Sequence, residues 1–331
     1  MHEERSAAQA AGKAERTVDY MADKMDIQEF GLDGKNGLTV FCREYRPKGE
    51  VLGAVQIIHG IAEHKERYDL FARFLALEGF AVYTCDLPGH GPAEKLSGNL
   101  GLFPEKDGWL KVAQTQRALT EHMGEAWPGK PLFLFGHSMG SFLARTLLIR
   151  WPGGLTGCIL CGTGHQSESL VKAGYSAAGL VTKLKGRDKP SEMLRKMAFG
   201  SYNKRIPDAA SPNAWLSRNP ENVAAYDADP LSGFNPSAGM LRDMMEGIRL
   251  IIDPAEQKRM DPDLPVLFIS GEEDPVGEYG AGVRRAAESF TGAGMKHVEV
   301  KLYPQDRHEI LNETDRDTVW ADILAWLKAR I

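Results

Sequence analysis

Cysteine is scarce. The 331 residues hold four, at Cys42, Cys85, Cys158 and Cys161, too few for a disulfide scaffold. Cys158 and Cys161 form a C-x-x-C, a spacing used by zinc and redox sites. No second pair completes a metal site, and the motif lies in an apolar run, residues 155–162, that reads as a buried strand. Residues i and i+3 point to opposite faces of a strand, so both thiols are read as core residues and no metal is expected. Charge of one sign is also lacking. Forty basic residues stand against 45 acidic ones, for a net charge of −5 and an isoelectric point near 6.0. With no basic run, a nucleic-acid surface is excluded. No stretch of about 18 apolar residues occurs, so no membrane span is expected; mean hydropathy is −0.33. The start, Met1-His2-Glu3-Glu4-Arg5, lacks the apolar centre of a signal peptide. A cytoplasmic location is the expectation. Internal repeats and low-complexity tracts are absent as well.

Apolar residues make up 43% of the chain, enough for one large core, and the length allows one or two domains. Short apolar runs alternate with helical stretches. Residues 51–59 (VLGAVQIIH) and 155–161 read as buried strands, and 80–85, 131–135 (PLFLF), 264–270 (LPVLFIS) and 298–303 (VEVKLY) as further strands. Residues 68–77, 106–122, 142–149 and 318–329 carry helical spacing between them. Continuous apolar strands separated by helices predict a parallel sheet covered on both faces. The rhythm breaks between about 164 and 253, where helical pieces such as 191–199 (SEMLRKMAF) and 240–252 predict an insertion. Such an insertion sits where parallel sheets bind ligands. The expected division is an N-terminal extension at 1–25, loosely ordered, core at 26–163, a helical cap at 164–239 and core again at 240–331.

Gly136-His137-Ser138-Met139-Gly140 falls between PLFLF and the helix FLARTLLIR. Alone, G-x-S-x-G is weak; with 35 glycines, chance gives about 0.2 matches in a chain this long. Strand and helix on either side make it an α/β-hydrolase nucleophile elbow. The serine must stand on a strained turn clear of the sheet, and the glycines remove side chains that would collide there. The helix start offers free N–H groups to a developing oxyanion.

A serine hydroxyl needs a base. The order expected for this fold is serine, acid, histidine. Of nine histidines (His2, His59, His64, His90, His122, His137, His165, His297, His308), only the last two lie late enough. His308, in a polar loop before the last helix, is favoured over His297, which opens a strand. The acid should end the strand before it, in Gly271-Glu272-Glu273-Asp274-Pro275-Val276. Asp274 is favoured because the following proline holds it extended. It would fix the tautomer of His308 and stabilise its imidazolium. Backbone N–H groups of Met139 and, by its place after the first buried strand, Ile61 are the candidate oxyanion hole. Gly60 would let that loop approach closely.

These segments carry a family likeness. His59-Gly60-Ile61-Ala62-Glu63-His64-Lys65-Glu66-Arg67-Tyr68 resembles the H-G-x-x-E-H-x-x-R-Y signature of the monoacylglycerol lipase and lysophospholipase-like serine hydrolases. The Gly136–Ser141 elbow, Gly271-x-x-Asp274-Pro275-Val276, Arg307-His308-Glu309 and Asp86-Leu87-Pro88-Gly89-His90-Gly91 resemble their other motifs, in the expected order over residues 30–330. The resemblance implies Ser138, Asp274 and His308 as a triad, Ile61 and Met139 as oxyanion donors, a helical cap, and acyl-ester substrates. Pro88 replaces the arginine of the usual D-x-R-G-H-G form, and Pro92-Ala93 stands where a small polar residue is usual.

Glu63 and Arg67, spaced i and i+4, suit a helical ion pair, and His64 and His90 are read as hydrogen-bonded structural residues. In the cap, Leu170, Val171, Leu180, Val181, Leu184, Met193, Leu194, Met197 and Phe199 are read first as packing and second as a lipid funnel. Lys172, Lys183, Lys185, Arg187 and Lys189 read as a solvated face, with a phosphate head group or an anionic membrane surface as the other reading. The expected function is hydrolysis of a small-molecule carboxylic ester, a lipid-like acyl ester of monoglyceride or lysophospholipid type, through an acyl-enzyme on Ser138, without a cofactor and with transient membrane-surface contact through the cap. A peptidase, thioesterase or C–C hydrolase would use the same triad. An aspartate-nucleophile dehalogenase or epoxide hydrolase is excluded by Ser138. A non-catalytic binding protein on this fold is opposed by the intact Ser138, Asp274 and His308.

Overall fold

The apolar runs lie side by side in one sheet. The computed structural model describes residues 24–331. Its strands are β1 (Met25–Asp33), β2 (Thr39–Pro47), β3 (Gly53–Ile58), β4 (Phe80–Cys85), β5 (Leu132–His137), β6 (Gly157–Cys161), β7 (Val266–Gly271) and β8 (Val298–Tyr303). They are ordered β1-β2-β4-β3-β5-β6-β7-β8. The strands from β3 onward run parallel, while β2 is antiparallel to both its neighbours. Every residue of β3, β4, β6 and β7 is buried, as a sheet covered on both faces requires. This is the α/β-hydrolase fold the alternation predicts.

The helices are α1 (Asp69–Leu77), α2 (Gly91–Ser97), α3 (Gly108–Ala126), α4 (Met139–Arg150), α5 (Glu168–Lys185), α6 (Glu192–Phe199), α7 (Pro220–Ala228), α8 (Ala238–Ile252), α9 (Pro254–Gln257), α10 (Ala281–Gly292) and α11 (Arg316–Lys328). On one face of the sheet, Val112 of α3, Leu143 and Leu147 of α4, Ile248 of α8 and Phe290 of α10 pack over Leu160 and Phe268. On the other face, Phe71 and Leu75 of α1 and Ile323 and Leu327 of α11 cover Phe135 and Ile159. Cys158 belongs to the first layer and Cys161 to the second. The strand geometry thus parts the C-x-x-C, and both thiols are free and buried.

Two strands have no counterpart in the sequence reading, β1 and β2. They form an antiparallel hairpin at the sheet edge, with one buried and six exposed positions in β1. A half-exposed edge leaves only a short alternation rather than an apolar run. Met25 is buried and opens β1; the rest of the expected extension at 1–25, apart from Lys24, lies outside the described residues.

Residues 164–265 run between β6 and β7 and carry α5 to α9. Their helices start on side-chain caps: Ser167, Ser191, Asn219 and Ser237 each accept a backbone N–H from the first turn of α5, α6, α7 and α8. Each such cap is worth about 1 kcal/mol. α5 lies along α8, which packs on α4. The insertion therefore covers the carboxyl ends of β5 and β6. No helix among the described residues is long and apolar enough to cross a membrane.

Candidate active site

The polypeptide reverses sharply where β5 ends. Ser138 has φ 53° and ψ −121°, a strained backbone for a residue with a side chain, costing roughly 1–3 kcal/mol. Its surroundings hold it there. Its N–H donates to Cys161 O at 2.9 Å, and its carbonyl accepts from Ser141 N at 2.9 Å. Gly140 shows why the elbow needs glycine: a Cβ there would lie 2.2 Å from Ile58 O and 2.6 Å from His59 O. α4 can only start where it does by lying directly on the end of β3. Between buried His137 and Met139, Ser138 is the residue left partly open.

Loops after β7 and β8 bring Asp274 and His308 together. His308 Nδ1 lies 2.9 Å from Asp274 Oδ2. That oxygen also accepts Ser270 Oγ at 3.0 Å, and Oδ1 accepts Val276 N at 2.9 Å. Both side chains are buried. The rival candidates Glu272, Glu273 and His297 are exposed. Burial pulls the imidazole of His308 down, but the adjacent carboxylate of Asp274 outweighs it and the net shift is upward. The ring also lies against Trp215, with centroids 5.0 Å apart, and His137, at 4.5 Å.

The loop after β3 closes the site from the other side. A Cβ on Gly60 would lie 3.1 Å from Ser138 Cβ. Neither the Ile61 nor the Met139 N–H donates to a protein acceptor among the described residues. Ile61, Met139, Ser138 and His308 line one cavity of about 1050 Å³, the size of a site for a drug-sized ligand.

The sequence model of one hydrolase family, described as serine aminopeptidase, S33, matches residues 49–315. The chain belongs to that family. Members and neighbours of this kind surround it. A monoacylglycerol lipase from Mycolicibacterium smegmatis is 27% identical over 308 residues, 92% of this chain and 98% of that one. The human monoglyceride lipase is 27% identical over 90% of each chain. A thermostable carboxyl esterase from Bacillus coagulans, solved with glycerol, superimposes with a TM-score of 0.86 at 32% identity, covering 92% of this chain and 99% of the other. The resemblance carried by the motifs therefore holds for fold and family alike: this is an α/β-hydrolase similar to the monoacylglycerol lipases.

Within this S33-family chain the motif His59–Tyr68 builds the wall behind Gly60. Glu63 Oε1 accepts from Gly60 N at 2.5 Å and from Tyr68 OH at 2.8 Å. Glu63 Oε2 meets Arg67 Nε at 3.2 Å, the expected i,i+4 pair, although a short 3-10 turn (Lys65–Tyr68) rather than an α-helix spans it. Arg67 also reaches Glu309 at 2.5 Å, a residue for which sequence spacing gave no partner. Burial pushes the carboxyl of Glu63 up; Arg67 pulls it down and Glu309 pushes it up, for a net rise. His64 pairs with Asp229 at 2.6 Å, and His90 accepts from Ala62 N at 3.2 Å. Both hold loops, as expected. The Asp86–Gly91 turn serves the same wall, with Asp86 taking Lys65 Nζ at 2.7 Å.

The expected cap residues divide. Val171, Val181 and Leu194 are buried, whereas Leu170, Leu180, Leu184, Met193 and Met197 are exposed. Leu170, Val171, Leu194, Met197 and Phe199 also line the cavity. Packing and lining are thus shared within single helices. Of the basic residues, Lys172 pairs with Glu168, Arg187 with buried Asp243, and Lys189 with Asp188. Trp215 and Tyr202, which meet edge to face with centroids 4.7 Å apart and line the cavity, escaped the sequence reading. Neither lies in a motif or a periodic run.

Proposed function

We propose that this protein hydrolyses carboxylic esters of acyl-lipid type through an acyl-enzyme on Ser138. The observation that carries the reading is the meeting of a strained, partly open serine, a buried histidine–aspartate pair and a large cavity walled by Met197, Phe199, Leu241, Met244, Met245 and Ile248. Methionine-rich walls adapt to irregular apolar chains. In this mechanism His308 Nε2 takes the Ser138 proton as Oγ attacks the ester carbonyl carbon. The carbonyl oxygen becomes an oxyanion facing the Ile61 and Met139 N–H groups, which are worth roughly 10²–10³ each in rate. His308 then gives its proton to the departing alcohol. Water enters, His308 takes a proton from it, and hydroxide attack frees the acid and returns the proton to Ser138. Asp274 holds the imidazole with Nδ1–H toward itself throughout.

The family description speaks of an aminopeptidase, and the cavity bears on the choice. A peptidase that recognises a free amine needs an unspent carboxylate. The acidic residues near Gly60, Glu63 and Glu309, are both engaged by Arg67, and Glu309 Oε2 takes Asn222 Nδ2 at 2.6 Å as well. This disfavours an acyl group that bears a free amine and so supports an ester over an aminopeptidase substrate.

The cap is part of the proposal. Leu180 and Leu184 are exposed on the helix that carries Lys183 and Lys185, which meet no acidic partner among the described residues, and Met193 is exposed on the next helix. Exposed apolar side chains with lysines on the same helix suit transient contact with an anionic lipid surface. A fluorophosphonate probe tests the chemistry: the parent should label and Ser138→Ala should not. Absent labelling of the parent, or equal labelling of the variant, sinks the serine-hydrolase reading and leaves a binding protein. Nitrophenyl acetate compared with longer acyl esters, monoglycerides and lysophospholipids tests the substrate. A uniformly poor response counts against the lipid reading.

A further inference from the structure

We infer that Arg218 is a positioning residue for the base: reaching out of the insertion between β6 and β7, it clamps the loop that carries His308. The inference rests on the serine-hydrolase reading, because that reading gives His308 its role.

Arg218 follows a 3-10 turn, Ala214–Leu216. Its guanidinium donates to Asp306 Oδ1 and, at 3.0 Å, to Asp315 Oδ1, and it lies 3.7 Å from Glu313 Oε2. Its main-chain N–H is shared by both carboxylate oxygens of Glu313 at 3.0 Å. The side chains of Asp306 and Glu313 are fully buried. Two buried carboxylates are costly unless a cation meets them. Among the described residues, Arg218 is the cation paired with both. The balance is close. Asp306 Oδ2 is buried without a hydrogen-bond partner. Burial, Glu313 and Asp315 push the carboxyl of Asp306 up to about 7 against the pull of Arg218.

The contacts lie on both sides of the base. Asp306 precedes His308 by two residues. Glu309 N, immediately after it, donates to Leu216 O at 2.7 Å. Arg307 Nη1 donates to Ala214 O at 2.7 Å and Ser217 O at 3.0 Å, while Arg307 N donates to Glu313 at 2.9 Å. Trp215 of the same turn lies against the imidazole. Asp274 fixes one ring atom of His308; the 214–218 segment fixes the backbone that carries the ring. Arg218 itself does not line the cavity, so it acts on the base and not on bound substrate.

Arg218→Met and Arg218→Lys in the full chain test this with a short nitrophenyl ester. A small misplacement of a catalytic group costs up to about 100-fold. The Met variant should lose about tenfold or more in kcat with KM held within twofold, and Lys should recover most of the loss. Parental kcat in the Met variant, a change in KM alone, or a Lys variant as slow as Met overturns the inference. Should the Met variant show no melting transition, Glu313→Gln carries the test. It keeps an acceptor for Arg307 N but removes a charge that orients the guanidinium. The same fall in kcat with KM held is then expected, and parental kcat overturns it. Failure of the serine-hydrolase reading looks different: the parent does not label, or labelling survives Ser138→Ala.

Discussion

Gly60→Ala probes whether the loop after β3 is set by contact with the nucleophile. The added Cβ would lie 2.7 Å from Glu63 Oε1 and 3.1 Å from Ser138 Cβ. Ordinary contact begins near 3.4 Å. The structure must therefore give by about 0.7 Å on one side and about 0.3 Å on the other, by the overpacking that costs about 1–3 kcal/mol in a close-packed site. Glu63 cannot retreat freely. One oxygen is held by Gly60 N and Tyr68 OH, and the other by Arg67. The strain is then shared between the Ile61 N–H and Ser138, the two groups whose placement governs attack in the proposed mechanism. Partial loss of one oxyanion donor, or a shift of a few tenths of an ångström at the nucleophile, corresponds to about 10- to 100-fold in kcat. Steady-state hydrolysis of a nitrophenyl ester reads the rate, and a thermal melt reads the strain as a fall of several degrees. Gly49→Ala is the control, since a Cβ there meets nothing within 4 Å, and it should match the parent. A Gly60→Ala variant with kcat within twofold of the parent and an unchanged melting temperature would refute the reasoning.

Three further outcomes are expected. Asp274→Asn removes the charge that raises His308, so burial prevails, its pKa falls, and the acid limb of kcat/KM moves to lower pH while kcat drops by about 10⁴; an unmoved limb contradicts the pairing. Burial holds His59 and His90 neutral, each with a pKa lowered to about 3, and burial with His308 holds His137 well below its usual value. The unfolded chain binds protons near 6.5 that these rings refuse, so stability should fall as pH drops from about 6.5 toward 3. His308, raised in the fold, contributes in the opposite sense below 6.5 and loses that contribution as pH rises through its folded value. A melting temperature flat between pH 6.5 and 4 would show that the buried rings titrate freely. On the cap, Leu184→Glu with Met193→Glu should weaken co-sedimentation with anionic vesicles and leave hydrolysis of a soluble short ester near parental. Unchanged sedimentation removes the proposed lipid contact.

The parallel part of the fold was legible because burial on both faces writes itself as uninterrupted apolar runs. Residues 80–85 match β4 to the residue; 298–303 match β8 as well, although that strand ends the sheet and only its Tyr303 is buried. The β1–β2 hairpin was not, since Asp26, Glu29 and Arg43 sit where solvent meets the sheet edge and break up any run. Ser138, Asp274 and His308 could be picked out by their places at the ends of β5, β7 and β8, because loops there converge on one point. Trp215, Arg67's bond to Glu309 and the Arg218 cluster could not. Each is a contact between segments tens to hundreds of residues apart, and nothing local in the sequence encodes it.

That contrast has a physical origin in how the site is built. The elbow geometry is a matter of backbone meeting backbone: Gly140 lies against Ile58 O and His59 O, and Ser138 N bonds to Cys161 O. Such contacts demand particular residues at particular spacings, so a short sequence motif can encode them. The cavity wall obeys a looser rule. Any adaptable apolar side chain at Met197, Met244 or Met245 would keep the volume and change the shape, and volume-conserving exchanges of that kind usually cost under about 1.5 kcal/mol. The shape of the cavity can therefore drift on α5, α6 and α8 without disturbing Ser138. The segment 214–218 is the exception, because it belongs to the insertion yet packs on His308 through Trp215 and Leu216. Changes there reach the chemistry as well as the shape of the cavity, and so this stretch of the insertion should tolerate substitution least.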